Sequence, residues 1–145
     1  MDFVTCCHAS YIEQHGRPSH PTDIEQQHRI VGYFSSLTGK VFPLRFTRGT
    51  ENLEIHAQSA VAVNESTAHL TALSIGMGIG QTFAWFVKEM VARGEMVTVL
   101  EDWQQPRHPL YIMYPSSRHL NATVRVFVNW AVKLFAAVDD RVTET

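Results

Sequence analysis

Residues 76–100 read GMGIGQTFAWFVKEMVARGEMVTVL, and this stretch indicates how the chain folds. The apolar side chains in its middle recur at the spacing of one buried helix face: Phe83, Phe86, Val87, Met90 and Val91. Arg93 and Gly94 predict the end of that helix, and the apolar run Met96–Leu100 predicts a strand. Strands and helices that alternate in this way are typical of an α/β sheet.

The N-terminal segment continues the alternation. Asp2–Cys7 predicts a strand and Ala9–His15 a short helix, which Gly16 ends because glycine readily adopts a left-handed conformation. Thr22 and Glu25 have the spacing of a capping box, in which the hydroxyl accepts from a free helical N–H and the carboxylate reaches back. They predict the start of a second short helix.

Four β-rich segments follow, separated by turn-forming residues: Arg29–Phe34, Val41–Phe46, Asn52–His56 and Ala60–Val63. The first three predict a meander. Ser66 is the expected N-cap of a helix over Thr67–Ile75, which Gly76 ends.

The C-terminal part predicts a strand over Pro109–Tyr114 and a helix capped by Asn121. The polar residues 101–108 form the expected crossing segment and boundary between them and the preceding sheet. The apolar residues of the final helix form a continuous stripe: Val124, Phe127, Val128, Ala131, Phe135 and Val138. Residues after Val138 are expected to fray.

Composition and charge set the class of protein. With 145 residues and 45% hydrophobic residues, the chain is long enough for one domain with a real core. A net charge of −2 without a stripe of Lys and Arg argues against a surface that binds duplex DNA. The N-terminus lacks the pattern of an export signal and no apolar run has membrane-spanning length, so a cytoplasmic protein without a membrane partner is expected.

Glycines 76, 78 and 80 suggest a dinucleotide-binding motif. Such a motif needs its glycines between a strand and the helix that receives the pyrophosphate, whereas these glycines follow a predicted helix. They are therefore interpreted as a helix end that passes tightly into a strand, and no cofactor is predicted.

The sequence offers little support for a catalytic or metal-binding motif. Cys6, Cys7 and His8 are neighbours on a predicted strand and point to alternate faces, so they cannot readily converge on one zinc ion. No nucleophile elbow, P-loop or HExxH run occurs, and the acidic residues show no paired arrangement. The sequence therefore predicts neither an enzyme nor a metal site.

The loop Ser35-Ser36-Leu37-Thr38-Gly39 is the most informative polar cluster. Its hydroxyls and loop N–H groups are suited to a carboxylate or another small polar ligand. The same residues also build ordinary hairpin turns, so both interpretations stay open.

These features together resemble the C-terminal, effector-binding (substrate-binding) domain of LysR-type bacterial transcriptional regulators. The resemblance rests on motifs in a specific order: Gly16-Arg17-Pro18, Pro21-Thr22-Asp23-Ile24, His28, residues 35–39, Gly76-Met77-Gly78-Ile79, residues 94–100, Trp103, and residues 111–120 (YIMYPSSRHL) with the helix after them. Nearly the whole chain is covered.

The resemblance implies an α/β, periplasmic-binding-protein-like (type II) fold in which a small effector lies between two subdomains. Residues 1–105 would form the second subdomain, and residues 106–138 would supply a crossing segment, strand and helix to the first. Residues 139–145 would form a tail. The rest of the first subdomain and the N-terminal winged helix-turn-helix are expected to be absent, so DNA would be contacted only through that absent domain.

The resemblance also implies effector-binding residues, carried over by position: Ser35, Ser36, Leu37, Thr38, Asn64, Ser66, Gly78 and Phe83. The expected effector is a small polar or anionic metabolite, and a homodimer or higher homo-oligomer is expected. Two departures affect the shape of the cleft, because His8-Ala9 replaces a frequent Ser-Pro and Phe83 a frequent Pro. The alternative is a small α/β dimerisation or solute-binding module without a DNA-linked role.

Overall fold

The computed structural model describes residues 2–105, residue 112 and residues 122–143. Its elements follow the chain in this order: β1 (Phe3–His8), α1 (Ala9–His15), α2 (Pro21–Gln27), β2 (Ile30–Tyr33), β3 (Leu44–Arg48), β4 (Glu51–Ile55), β5 (Ser59–Val63), α3 (Ser66–Ser74), β6 (Gly80–Phe83), α4 (Ala84–Ala92), β7 (Met96–Thr98) and α5 (Ala122–Thr143). The predicted α/β class is confirmed.

The strands form three hydrogen-bonded groups. β1 lies between β6 and β7 and is antiparallel to both, β2 pairs in parallel with β5, and β3 and β4 form an antiparallel hairpin. A bridge between Ile30 and Ile79 joins the β2–β5 pair to the segment before β6. The predicted meander is therefore right for β3 and β4, which form the hairpin, and wrong for β2, which takes β5 as its strand partner and meets the next segment at the Phe34–Val41 bridge.

Apolar side chains pack on both faces of the sheets. Successive strand residues point to opposite faces, and accordingly Cys7 and Ile30 belong to one core cluster while Cys6 and Val31 belong to the other. The first cluster includes residues of α1, α2 and the β3–β4 hairpin, and the second includes residues of α3 and α4. The result is a layered α/β arrangement with a core on each side.

Several helix boundaries differ from those predicted. The cap of α2 is His20, whose imidazole accepts from Thr22 N while Asp23 completes the capping box. The cap of α3 is Glu65 in place of Ser66, which is the first residue of that helix. Phe83 ends β6 and precedes α4, so it is not the first residue of the helical stripe.

Helix α5 runs through Thr143, beyond the predicted end at Val138. It contacts α4, and Ala131 is buried at 4% exposure. Most of its other described apolar side chains are exposed, including Val126, Phe127 and Trp130. The predicted strand Pro109–Tyr114 and the predicted cap Asn121 lie outside the described residues, apart from Ile112. Within the residues that are described, no helix is both long enough and apolar enough to span a membrane.

Candidate effector-binding cavity

A cavity of about 440 Å³ opens where β2, β3, the start of α3 and β6 meet. This volume lies within the usual range for small-molecule sites. Eight of its lining residues are apolar or aromatic: Phe3, Val31, Tyr33, Phe42, Pro43, Leu44, Phe83 and Phe86. Six lining residues are polar or charged: Arg45, Ser66, His69, Gln81, Thr82 and Gln105. An apolar wall with a few polar groups is the common composition of a ligand site.

Gln81 fixes the floor of the cavity to the β3–β4 hairpin. Its side-chain Oε1 accepts from the backbone N–H of Arg45 at 3.1 Å, and its Nε2 donates to the backbone carbonyl of Arg45 at 3.0 Å. Two hydrogen bonds from one amide hold β3 beside β6 although the two strands do not pair. The shape of the cavity therefore depends on this side chain.

His69 forms a buried part of the wall. Its Nε2 lies 3.0 Å from the backbone carbonyl of Val31, which can only accept, so Nε2 carries the proton. The ring packs edge-on against Tyr33 with centroids 5.7 Å apart. Gly80 makes room for it, since a Cβ there would lie 3.2 Å from Nε2. Burial lowers the pKa of His69 and favours the neutral imidazole.

Carboxylates already occupy two positions where an anion could bind near the cavity. Glu65 accepts from the backbone N–H groups of Thr67 and Ala68 at 2.8 Å each, and these bonds lower the pKa of Glu65. The guanidinium of Arg45 pairs with Glu54, with Nε and Oε1 3.0 Å apart. Charge around the cavity is therefore largely balanced within the protein.

The structure brings two of the eight sequence-predicted site residues to the cavity wall, Ser66 and Phe83. Asn64 lies next to the wall, because its backbone carbonyl accepts from the hydroxyl of Tyr33 at 2.9 Å. Ser35, Ser36, Leu37, Thr38 and Gly78 are not among the lining residues.

The Ser35–Gly39 loop forms a closed turn. Gly39 N donates to the Ser35 carbonyl at 2.7 Å, and the Ser35 hydroxyl accepts from the backbone N–H groups of Leu37 and Thr38 at 3.3 and 3.4 Å. The Leu37 side chain is 95% exposed. The loop therefore forms the hairpin turn that was one of its two interpretations. The role of the loop in ligand binding stays a prediction.

Gly78 lies at the joint between two sheets. A Cβ at this position would lie 2.6 Å from the carbonyl oxygen of Arg29, closer than two such atoms can approach. The turn before it contains Gly76 with a φ of 77°, directly after α3, and β6 begins at Gly80. The interpretation of residues 76–80 as a helix end that passes tightly into a strand is confirmed.

Sequence reasoning did not single out most of the wall. Tyr33, Phe42 and Gln81 come from segments far apart in the chain, and His69 lies within a helix whose apolar pattern is weak. The one available signal was the polar residue Gln81 inside an otherwise apolar turn-to-strand segment. The side chain of this half-buried residue pairs with the backbone of Arg45.

Protonation of two buried histidines is expected to make stability fall below about pH 6.5. Burial lowers the pKa of both His28 and His69 from 6.5, so in this range the unfolded chain binds more protons than the folded chain. The free energy of unfolding therefore decreases as the pH falls from 6.5 towards the folded-state pKa values. Urea unfolding at about pH 7 and pH 5.5 measures this slope, above the range in which carboxylates titrate.

A matched pair of variants isolates the buried group. His69→Gln keeps a donor for the Val31 carbonyl but does not titrate, so the pH slope should become shallower. Gln58→Ala changes an exposed side chain that carries no titrating group and should leave the slope unchanged. Equal slopes in the wild type and His69→Gln would contradict the assignment.

The two cysteines are expected to be inert in the folded chain. Both are fully buried, and burial raises the pKa of each thiol from 9.0 to about 12. Because the thiolate is the reactive form, a three-unit increase lowers its fraction about a thousandfold. Ellman's reagent at pH 8 should react with both thiols in urea and with neither under native conditions. Rapid reaction of the native protein would contradict the burial.

No cluster of three or more His, Cys, Asp or Glu side chains suited to a metal ion occurs in the described part of the chain. The pair Cys6 and Cys7 illustrates the reason, because they belong to different core clusters on opposite faces of β1.

Comparison with known proteins places this fold in a family. The family model described as "LysR substrate binding domain" matches residues 1–136. An HTH-type transcriptional repressor of Pseudomonas aeruginosa (strain UCBPP-PA14) is 31% identical over 126 residues, which cover 87% of this chain and 39% of that protein. The HTH-type transcriptional regulator DmlR of Escherichia coli is 29% identical over 133 residues, which cover 92% of this chain and 42% of DmlR. The chain thus spans less than half the length of these relatives.

Two solved structures share the fold. The regulatory domain of AphB from Vibrio vulnificus matches with a TM-score of 0.68 at 21% identity, over 91% of this chain and 64% of that chain. The CrgA regulatory domain, from a LysR-type transcriptional regulator of Neisseria meningitidis, matches with a TM-score of 0.74 at 17% identity, over the same shares. The predicted type II periplasmic-binding-protein-like fold is confirmed, and the chain belongs to the LysR substrate-binding domain family of transcriptional regulators.

Proposed function

We propose that this chain is the effector-binding part of a LysR-type regulator and that a small metabolite in the cavity controls DNA binding by the full-length protein. The observation that carries the proposal is the cavity itself, whose wall combines eight apolar side chains with a few fixed polar groups. A ligand controls a regulator only through different affinities for its two states. A cavity built from several separate segments is suited to this, because closure around a ligand moves those segments together.

The proposal places the protein in the cytoplasm and assigns it no catalytic role. Its family consists of transcriptional regulators, and DNA contact in our proposal belongs to the longer regulator. The polar or anionic nature of the effector stays a prediction from the resemblance.

Ligand-induced stabilisation tests the proposal. A panel of metabolites is screened for an increase in the unfolding midpoint, because a ligand that binds only the folded chain stabilises it by mass action. Ser66→Trp places a bulky ring at the cavity wall and should abolish the increase. Thr67→Trp, in the same exposed helical turn but outside the wall, should retain it. If both variants respond equally to the metabolite, the metabolite does not bind in this cavity.

The Ser35–Thr38 loop provides a second set of predicted effector contacts. Replacing Ser35, Ser36 and Thr38 by Ala in a complete regulator should weaken the response to effector and leave DNA affinity largely unchanged, since their hydroxyls are the expected donors. Effector titrations followed by DNA-binding measurements separate the two quantities. Unchanged effector affinity in the triple variant would exclude the loop.

A second candidate function is self-association through α5. Its apolar side chains cover most of the helix surface outside a polar stripe of Arg125, Asn129 and Lys133, and an apolar helix face this wide is normally buried. Ala131 is covered by the rest of the chain, whereas Phe127 and Trp130 are each 57% exposed. A second copy can cover this surface, so a homodimer that depends on α5 is the proposed assembly.

A further inference from the structure

The wall of the cavity is rich in aromatic rings. Phe83 packs edge-on against Phe3 with centroids 4.4 Å apart and against Phe86 with centroids 5.8 Å apart. Phe42 and Tyr33 also line the space. Rings that already pack edge-on favour a further flat ring, because its faces and edges continue the same arrangement.

Positive charge at the wall is neutralised from within the chain. Arg45, the lining residue that carries a permanent positive charge, pairs with Glu54 at 3.0 Å. His69 is neutral when buried, and its Nε2–H is used by the Val31 carbonyl. An anionic ligand would have to compete with Glu54 for the guanidinium.

The N-terminus of α3 is the other feature at the wall that attracts anions, because its N–H groups and helix dipole favour negative charge. Glu65 already accepts from two of these N–H groups at 2.8 Å each. The Glu65 carboxylate occupies this position and repels a second carboxylate. Acidic ligands are therefore disfavoured both at the N-terminus of α3 and at the Arg45–Glu54 pair.

One buried acceptor at the wall requires a donor. The side-chain oxygen Oε1 of Gln105 is buried without a hydrogen-bond partner among the residues that the structure describes, while its Nε2 donates to the hydroxyl of Thr5. A buried carbonyl oxygen without a partner is costly, and because Gln105 lines the cavity, a rotation of its side chain would let a ligand hydroxyl or N–H satisfy this oxygen.

We infer that the cavity selects an uncharged ring compound carrying a hydrogen-bond donor, with its ring among the phenylalanines and its donor directed to Gln105. The inference rests on the proposed function and narrows its ligand class. It differs from the polar or anionic effector predicted from the sequence, so the two classes can be separated with simple probes.

Three probes of the same ring size test it on the full chain: benzyl alcohol, benzyl methyl ether and benzoate. Binding is measured from chemical-shift changes in ¹⁵N spectra. Benzyl alcohol should bind at least tenfold more tightly than benzoate and several-fold more tightly than the ether, which lacks a donor. Ser66→Trp should abolish binding of benzyl alcohol, and Thr67→Trp should not.

A charge variant tests the reason for the selectivity. Glu54→Gln releases Arg45 and should strengthen benzoate binding at least threefold, whereas Glu51→Gln changes a carboxylate on the same strand that pairs with Arg48 and should have no effect. If benzoate binds to the wild type as tightly as benzyl alcohol does, and Ser66→Trp abolishes benzoate binding, the inferred ligand class is wrong. The cavity would then still be the effector site. If no probe binds, the ligand class is wrong, and the metabolite panel separately decides the proposed function.

Discussion

Gly78→Ala is expected to remove a large part of the stability of the chain. The added Cβ would lie 2.6 Å from the carbonyl oxygen of Arg29, which itself accepts from Ile79 N at 3.0 Å. Neither the added Cβ nor the Arg29 carbonyl can move away without a shift of the backbone. The same contact between β2 and the segment before β6 includes the hydrogen bond from Val31 N to the Ile79 carbonyl at 2.9 Å. The clash can be relieved only by separating β2 from the segment before β6.

We expect a loss of about 3 kcal/mol, the upper end of the range for overpacking, which is a large part of a small domain's stability. Urea unfolding followed by circular dichroism measures it. Gly49→Ala is the control, because a Cβ there meets nothing within 4 Å and only its φ of 59° disfavours a side chain. That strain costs about 1 to 2 kcal/mol. If the Gly78→Ala protein were as stable as the Gly49→Ala protein, the backbone around Gly78 would accommodate a Cβ and the prediction would be wrong.

Replacing Phe127 and Trp130 by Glu is expected to convert a dimeric chain into a monomer. The two side chains are three residues apart on α5, and both are 57% exposed in the single chain. If a second copy covers them, each charged replacement should cost about 2 kcal/mol or more of association energy, as buried aromatic residues at interfaces do. The dissociation constant should therefore rise about a thousandfold. Sedimentation equilibrium over a range of concentrations measures the change.

The matched control is Leu37→Glu with Ile75→Glu, two exposed apolar positions outside α5 at 95% and 68% exposure. These substitutions make the same change of charge and should leave the dimer intact. A chain that ends near Gln105 should also be monomeric. A wild-type chain that sediments as a folded monomer at high concentration would contradict the proposal, as would equal weakening by both double variants.

The order and type of most elements could be predicted from the sequence, because periodicity is a local property. The apolar spacing over residues 86–91 and the glycine at 94 define α4 closely. Strand partners could not be predicted in the same way. The pattern of residues 30–33 shows a strand but does not tell whether it pairs with β3, the next strand, or with β5, since parallel pairing is decided by distant segments.

The helix caps show a different limit. His20 and Glu65 cap α2 and α3 with side chains that are not among the usual capping residues. In each case a hydroxyl-bearing residue stands close by, Thr22 or Ser66, and was predicted to be the cap. The preference for hydroxyl-bearing residues at helix N-caps therefore predicted where each helix begins to within two residues but not which residue caps it.

The candidate site was predictable only in part. Ser66 and Phe83 were identified through the resemblance and do line the cavity, whereas Gln81, His69 and Gln105 were not identified. These three side chains belong to β6, to the middle of α3 and to the end of the segment after β7. No spacing along the chain connects them, because only the folded sheets bring them to one place.

The central position of β1 has a consequence for how the chain acquires its structure. Cys6 pairs with Gly80 on one side and with Thr98 on the other, so the two edges of β1 are completed only by segments that lie much further along the chain. Contacts this distant in sequence slow folding, because the entropy of closing a long loop is lost before the pairing compensates for it. The β3–β4 hairpin, whose partners are close in sequence, can form earlier. During synthesis, β1 therefore has no strand partner until β6 has been made and is paired on both edges only after β7, and over that interval its apolar side chains are open to association with other chains.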